Sequence, residues 1–181
     1  EVTYGGHAAL RIPITRRLTL GLAGSGSMDR LAESTLTQQE GILGVVFAVP
    51  YSSEPGFQLA NIFASIAGIH QVQETADGTQ GEAYQFDVTA GLRWVDAVSS
   101  LTGRFGGQYW QAQWPDAIAR RFALTLGGAY TGRSWRISGD NFVFNPSVTA
   151  DASVGVLDLQ DINVRRSDVD VRLNFGIKAE F

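Results

Sequence analysis

The chain of 181 residues contains no cysteine, which excludes a disulfide framework, a thiolate nucleophile and any cysteine-based metal site. No apolar run reaches the ~18 residues that a membrane-spanning helix needs. Helical patterning is also scarce, because no long segment keeps an apolar period of about 3.6 residues. A short helix around residues 116–121 is the one helical element that the sequence pattern leaves open. These absences predict an all-β protein.

Charge is sparse and nearly balanced. Lys and Arg number 14 against 18 Asp and Glu, the net charge is −4, and no basic stripe is visible, so nucleic acid is not expected as a partner. Lys178 is the single lysine. Arginine forms bidentate ion pairs with carboxylates in a narrow interior, which lysine cannot do. A GC-rich genome, which favours arginine codons, would explain the same preference equally well.

Strict alternation of apolar and polar residues is what the chain has in abundance. From 168 to 181, Val169, Val171, Leu173, Phe175 and Ile177 share one face and charged or polar residues share the other. Similar alternation predicts eight strands in one domain over 1–181, at 2–14, 18–28, 41–51, 57–71, 83–95, 101–114, 121–137 and 168–181. The count becomes ten if 142–160 supplies a further pair. Residues 139–166 are otherwise expected to be irregular and 75–82 to be a polar loop. Residues 29–40 are expected to be a longer connection or an extension of the flanking strands.

A closing strand with one apolar face that ends on Phe181 resembles the last strand of bacterial outer-membrane β-barrels, in the small class that includes OmpA, OmpX and OmpW. In that family the terminal aromatic residue and the alternate apolar residues before it are read by the barrel-assembly machinery. The resemblance therefore implies an assembly signal made of Leu173, Phe175, Ile177 and Phe181. It also implies a closed antiparallel transmembrane barrel whose first and last strands pair, because lipid offers no partner for a free sheet edge.

The same resemblance implies a location in the outer membrane of a Gram-negative bacterium, in contact with membrane lipid and lipopolysaccharide. An export signal would then have been removed ahead of Glu1. Single-chain barrels of this kind have even strand counts that start at eight.

Charged residues on the non-lipid face are expected to point into the barrel. They would fill a narrow interior as an ion-pair network, or line a narrow selective pore. Both interpretations require opposite charges to meet, because an unpaired buried charge is costly. The predicted network consists of Arg11, Asp87, Arg93, Arg104, Asp170, Arg172, Lys178 and Glu180.

Aromatic residues near strand ends are typical of the two girdles of a membrane barrel; those predicted here are Tyr4, Trp94, Tyr109, Trp110, Trp114 and Tyr130. The third and fourth strands are apolar on both faces, which predicts an apolar side of the interior at Ile42, Val46, Ile62 and Ile66. That side suits dry packing against an inward loop, a path for an apolar ligand as in OmpW-like barrels, or an interface with a protein partner or a second copy.

His7 and His70 are the only histidines. A catalytic role would need a nucleophile and an orienting carboxylate nearby, and no His-x-Ser arrangement like that of the outer-membrane lipid A deacylases is present. The sequence therefore predicts a non-enzymatic barrel with no metal or cofactor, serving as envelope scaffold, partner-binding protein or narrow channel. The alternatives are passage of small hydrophobic molecules, a lipid-modifying outer-membrane enzyme, and a soluble lipocalin-like ligand-binding barrel.

Overall fold

A computed structural model describes residues 2–30, 33–50, 56–133, 135–136, 143–161 and 165–180. Within these ranges, no helix is long and apolar enough to cross a membrane. The prediction of an all-β fold is confirmed. The strands are β1 (Val2–Pro13), β2 (Leu18–Arg30), β3 (Ser34–Ala48), β4 (Gln58–Thr75), β5 (Gln80–Val95), β6 (Ser100–Trp114), β7 (Ala117–Thr131), β8 (Trp135–Arg136), β9 (Val143–Asp161) and β10 (Arg165–Glu180).

Nine of these strands form one antiparallel sheet in the order β1-β2-β3-β4-β5-β6-β7-β9-β10, and the two-residue β8 pairs with the start of β9. The expected count of eight is wrong because β9 lies inside the stretch 139–166 that was expected to be irregular. One face of β9 carries mostly Ala and Val and the other carries Ser, Thr, Asp and Gly. Small residues on both faces give a weak contrast in hydropathy. The short helix considered at 116–121 is also absent, because β7 begins at Ala117.

The sheet is open. Among the described residues, β1 and β10 each pair with a neighbour on one side only. Every adjacent pair is antiparallel, so the first and the ninth strand of the sheet run in the same direction. The expected closure into a barrel through these two strands is therefore not confirmed, and the observed architecture is a nine-stranded antiparallel sheet.

The two faces of β7 differ sharply in exposure. On β7, Arg121 is 2% exposed and Ala123 is 0% exposed, whereas the intervening Phe122 and the following Leu124 are 58% and 65% exposed. Because alternate residues of a strand point to opposite faces, the face of Arg121 is the one that neighbouring residues cover on β7. We call it the inner face, and we call the face of Phe122 the outer face.

The outer face leaves an unusually large surface uncovered. The chain exposes 12620 Å², whereas a folded globular protein of 19.5 kDa exposes about 8,500 Å². The residues that cause the excess are large apolar side chains on the outer faces of all the long strands, such as Leu22, Phe86, Phe105, Leu126 and Phe175. Among the residues whose side chains are described, Ala123 is the only buried apolar one, so no conventional apolar core is seen there.

The connections differ in length between the two ends of the sheet. At one end, called here the short-turn end, β2–β3, β4–β5, β6–β7 and β9–β10 are joined by 31–33, 76–79, 115–116 and 162–164. At the long-loop end the connections are 14–17, 49–57, 96–99 and 132–142, which includes β8. At 29–40 the polar residues mostly extend β2 and β3, which is one of the two alternatives expected for them. At 75–82 the expected polar loop is reduced to the turn 76–79 between β4 and β5.

The connection 96–99 is a tight turn organised by one carboxylate. Oδ1 of Asp96 accepts hydrogen bonds from the backbone N–H of Val98 at 2.8 Å and of Ser99 at 2.6 Å, and Oδ2 accepts one from the Ser99 hydroxyl at 2.8 Å. The bond from the Val98 amide, followed by that from the Ser99 side chain, lowers the pKa of Asp96 below 3.8. The turn is therefore held by an ionised Asp.

Candidate functional site

The centre of the inner face is a buried arginine with three described partners. Arg121 donates from Nε to the carboxylate of Asp170, from Nη1 to Oε1 of Gln108 at 2.5 Å, and from Nη2 to Oγ of Ser153 at 2.7 Å. Asp170 also accepts from Nε of Arg172 at 2.9 Å. These bonds join β6, β7, β9 and β10 on one face, and the buried guanidinium is neutralised by a charged partner, as a buried charge requires.

A second ion pair lies nearer the long-loop end. Arg104 on β6 donates to Asp151 on β9, from Nη2 to Oδ2 at 2.7 Å and to Oδ1 at 2.6 Å, and from Nε to Oδ1 at 3.0 Å. The pair spans β7 at Gly127, where an added Cβ would meet both the Asp151 carboxylate and Nε of Arg104. A glycine is required there because the two long side chains meet directly over its Cα.

Further glycines allow the backbone to coil tightly around this cluster. A Cβ on Gly91 would lie 2.5 Å from the carbonyl oxygen of Gly103, and one on Gly106 or Gly155 would overlap the carbonyl oxygen of Val88 or Phe122. Strand glycines commonly mark such close approaches of neighbouring backbones. Sharp coiling of these central strands makes the inner face concave and allows Arg121 to be buried by a single sheet.

A cavity of about 560 Å³ lies between the two ion pairs. Its charged lining residues are Asp87, Arg104, Arg121, Asp151 and Arg172. Nε2 of Gln85 donates to Asp87 at 2.6 Å, so this carboxylate is also hydrogen-bonded. The cavity is polar and nearly charge-balanced, which suits water and small ions better than an apolar ligand.

The predicted charge network is found only in part at this cluster. Arg104, Asp170 and Arg172 belong to it and Asp87 lines its cavity, but Arg93 lines a separate cavity beside the 96–99 turn. Arg11 lies exposed on the edge strand β1, and the side chains of Lys178 and Glu180 are outside the described set. The sequence reasoning missed the four residues Gln108, Arg121, Asp151 and Ser153. Arg121 and Gln108 could have been predicted from the sequence, because each alternates in step with the polar residues of its strand.

The predicted apolar side of the interior is wrong for two of its four residues. Ile42 and Val46 are on the inner face, where their register partners are Ala67 and Phe63. Ile62 and Ile66 have the opposite parity on β4 and are on the outer face. Because β4 is apolar on both faces, hydropathy could not decide its parity. The pairing with β3 decides it, and the apolar residues that β4 contributes to the inner face are Phe63, Ala67 and Ile69.

The residues of the predicted aromatic girdle are likewise divided between the two faces of the sheet. Tyr4, Trp94, Tyr109 and Tyr130 are on the outer face, while Trp110 and Trp114 share the inner face with Gln108. The indole of Trp114 lies on Gly81, where a Cβ would be 2.6 Å from three of its ring atoms. Both tryptophans are an even number of residues from Arg104, so the alternation along β6 already predicts that they share its face.

The residues of the predicted assembly signal lie on the edge strand β10. Leu173, Phe175 and Ile177 are on its outer face, and the last two are 80% and 87% exposed. Phe181 lies outside the described residues.

The two histidines lie on opposite faces. His7 is on the inner face of β1 with Ser25 as its register partner, and Ser25 Oγ donates to Oε2 of Glu40 at 3.3 Å. A serine therefore lies beside His7. A catalytic triad requires the imidazole between the hydroxyl and the carboxylate, whereas Ser25 is the middle residue here. His70 is on the outer face and stacks on Tyr84, with ring centroids 4.6 Å apart.

Comparisons with family models, curated proteins and solved structures return no match to this chain.

Proposed function

We propose that the chain is the membrane-spanning sheet of a small outer-membrane β-barrel, a non-enzymatic envelope scaffold or partner-binding protein whose interior is narrowed by the arginine cluster. The observation that carries the proposal is the inverted polarity of β7, where Arg121 is buried and the neighbouring Phe122 and Leu124 are exposed. In water, a contiguous apolar surface of this size is rare. In a bilayer, the same outer face is in contact with hydrocarbon.

The height of the apolar outer surface also suits a bilayer. On β5 it runs from Tyr84 to Trp94 and includes Phe86, Val88 and Leu92. These ten residue steps span about 33 Å along a strand. At a tilt of about 40° the surface is about 25 Å high, which matches the apolar band of membrane barrels. Tyr84 and Trp94 then lie at its two borders, where aromatic girdles occur.

In a bilayer, both sheet edges need partners, because lipid does not hydrogen-bond to a free backbone edge. We propose that β1 and β10 form this seam within one chain. The pair would be parallel, which an odd strand count requires; membrane barrels with odd counts are known. Because the chain has no cysteine, Ala8→Cys can be combined in turn with a cysteine at Val169, Val171, Leu173 or Phe175.

At least one of these pairs is expected to form a disulfide within a monomer, visible as a shift in gel mobility that a reductant reverses. Disulfides that join only separate chains would contradict the seam and indicate that the edges pair between copies.

Gel mobility and conductance together test the proposal as a whole. The detergent-extracted protein should migrate differently before and after boiling, because a closed barrel resists the detergent until it is heated. In planar bilayers, the intact chain should conduct weakly or not at all. Removing the ion pair over Gly127 with Arg104→Ala and Asp151→Ala should raise the conductance. Unchanged mobility together with full solubility in plain buffer would overturn the proposal.

Two alternatives fit the observations less well. A soluble lipocalin-like barrel needs a polar outside and an apolar inside, which is the reverse of the distribution on β7. A lipid-modifying enzyme needs a nucleophile activated by a base, and the order of His7, Ser25 and Glu40 across β1, β2 and β3 does not provide the usual arrangement.

A further inference from the structure

The inner face changes character at the short-turn end. Beyond the arginine cluster it becomes apolar, with Trp110, Ala112, Trp114, Ala119, Leu159 and the rim residue Arg166 lining a cavity of about 510 Å³. This volume is within the range of about 300–1,000 Å³ that small-molecule sites occupy. A similar volume around Arg104 and Arg121 is lined by charges, so the two cavities of one face differ in chemistry.

The walls of this apolar cavity are arranged before any ligand binds. Trp114 lies against Gly81 on the neighbouring β5, which has no Cβ to hold the ring away. Alanines at 112, 117 and 119 form a low surface between the tryptophans and Leu159. Large aromatic walls around small residues leave a space that the chain does not fill itself.

The cavity meets the arginine cluster at its inner end. Trp110 is the register partner of Arg121, so these two side chains lie side by side on the inner face. The apolar cavity and the polar cavity share no lining residue. The site is therefore a separate pocket at the short-turn end, and this separation favours binding over passage.

The charges at the mouth favour an uncharged ligand. Nε of Arg166 is 2.6 Å from Oδ2 of Asp168, so this guanidinium already has a charged partner. Asp161, also at the mouth, makes an interaction of its own. A charged ligand would have to lose water beside apolar walls without gaining a free counter-charge, which is unfavourable.

We infer that this pocket binds one small uncharged aromatic molecule, stacked against Trp110 and Trp114 and held by Leu159, with its edge at the mouth beside Arg166. Offset or edge-to-face contacts with the two indoles would orient the ring. The inference goes beyond the proposed scaffold or channel function and depends on it only for the bilayer in which the protein is studied.

The test is equilibrium dialysis of 2-naphthol against the protein in lipid nanodiscs, with empty nanodiscs to subtract partition into lipid. We expect saturable binding of one molecule per chain. Binding of 2-naphthalenesulfonate and of 2-naphthylmethylammonium should be at least about tenfold weaker, since burying an unpaired charge is costly. Uptake equal to that of empty nanodiscs, or equal affinity for all three probes, would overturn the inference.

Matched variants locate the site. Ala119→Leu fills the pocket and should weaken binding of 2-naphthol at least about tenfold, whereas Ala150→Leu adds the same bulk to the outer face of β9 and should leave it unchanged. Trp110→Ala should weaken binding and Trp110→Phe should restore part of it, while Trp94→Ala on the outer face should not. Equal effects of the inner and outer variants would overturn the assignment.

Heat-dependent gel mobility of each variant separates loss of the pocket from loss of the fold. A barrel that assembles but does not bind 2-naphthol would contradict this inference alone. A chain that does not assemble in the bilayer would contradict the proposed function.

Discussion

Replacing Arg121 by methionine is expected to cost a large part of the stability of the sheet, although the change keeps most of the side-chain length. Arg121 is 2% exposed and bonds to Asp170, Gln108 and Ser153. Removing one partner of a buried ion pair costs about 3–5 kcal/mol. Arg172 remains beside Asp170, so we expect the lower end of this range, about 3 kcal/mol. At a slope of about 2 kcal/mol per M urea, the unfolding midpoint should fall by about 1.5 M.

The adjacent Arg120 provides a matched control. It lies on the outer face, is exposed, and donates from Nε to Oε1 of Gln111 at 3.2 Å. Arg120→Met should change the free energy of unfolding by no more than about 0.5 kcal/mol. Both variants are refolded into lipid vesicles and unfolded in urea, with tryptophan fluorescence as the signal. Equal midpoints for the two variants would refute the reasoning.

Asp170→Asn gives an independent check of the same cluster. It leaves the buried Arg121 with the neutral partners Gln108 and Ser153, whereas Arg121→Met leaves a carboxylate that still has Arg172. We therefore expect a lower urea midpoint for Asp170→Asn than for Arg121→Met. The reverse order would mean that the cluster is hydrated in the assembled protein.

Three further predictions concern backbone approach, pH and the edge strand. Gly155→Ala should lower the urea midpoint strongly because its Cβ would overlap the backbone of β7, whereas Gly68→Ala, with open space around the added Cβ, should not. The hydrogen bonds that lower the pKa of Asp96 stabilise the 96–99 turn above pH 3.8, and this contribution is lost as the pH falls below that value. The protection of its two bonded amides against exchange, relative to their intrinsic rates, should fall there, and Asp96→Asn should remove this pH dependence. The double variant Phe175→Ala with Phe181→Ala should reduce the membrane-assembled fraction, which is measured by heat-dependent gel mobility. The control Asn174→Ala should not reduce it. Normal assembly of the double variant would contradict a terminal assembly signal.

The sequence predicts the strands with clean alternation well and the others poorly. On β5, Tyr84, Phe86, Val88 and Leu92 are separated by polar residues, and their common outer face follows from the period of two. On β9 the same period is present, but alanine, glycine and serine occupy so many positions that the two faces differ little in hydropathy. A strand of that composition becomes evident only from its pairing with β7 and β10.

The candidate site was predicted less completely than the sheet. Arg104, Asp170 and Arg172 could be assigned to the inner face from parity alone, but the partner of Arg104 is Asp151, on the strand that was missed. The parity of Trp110 could have been read from β6. That of Ile62 could not, because β4 is apolar on both faces and only its register with β3 decides the question. The proposed pairing of β1 with β10 would likewise depend on contacts between residues far apart in the chain.

The central claim is that the outer face of the sheet contacts lipid and the inner face does not. Single cysteines at positions 122–130 of β7, in a chain that has none of its own, can carry spin labels in lipid vesicles. We measure the accessibility of each label to oxygen, which concentrates in hydrocarbon, and to a water-soluble nickel chelate. The account predicts oxygen maxima at 122, 124 and 126 and minima at 123 and 125, alternating with a period of two. Equal accessibility at all positions, or high accessibility to nickel at 124 and 126, would contradict it.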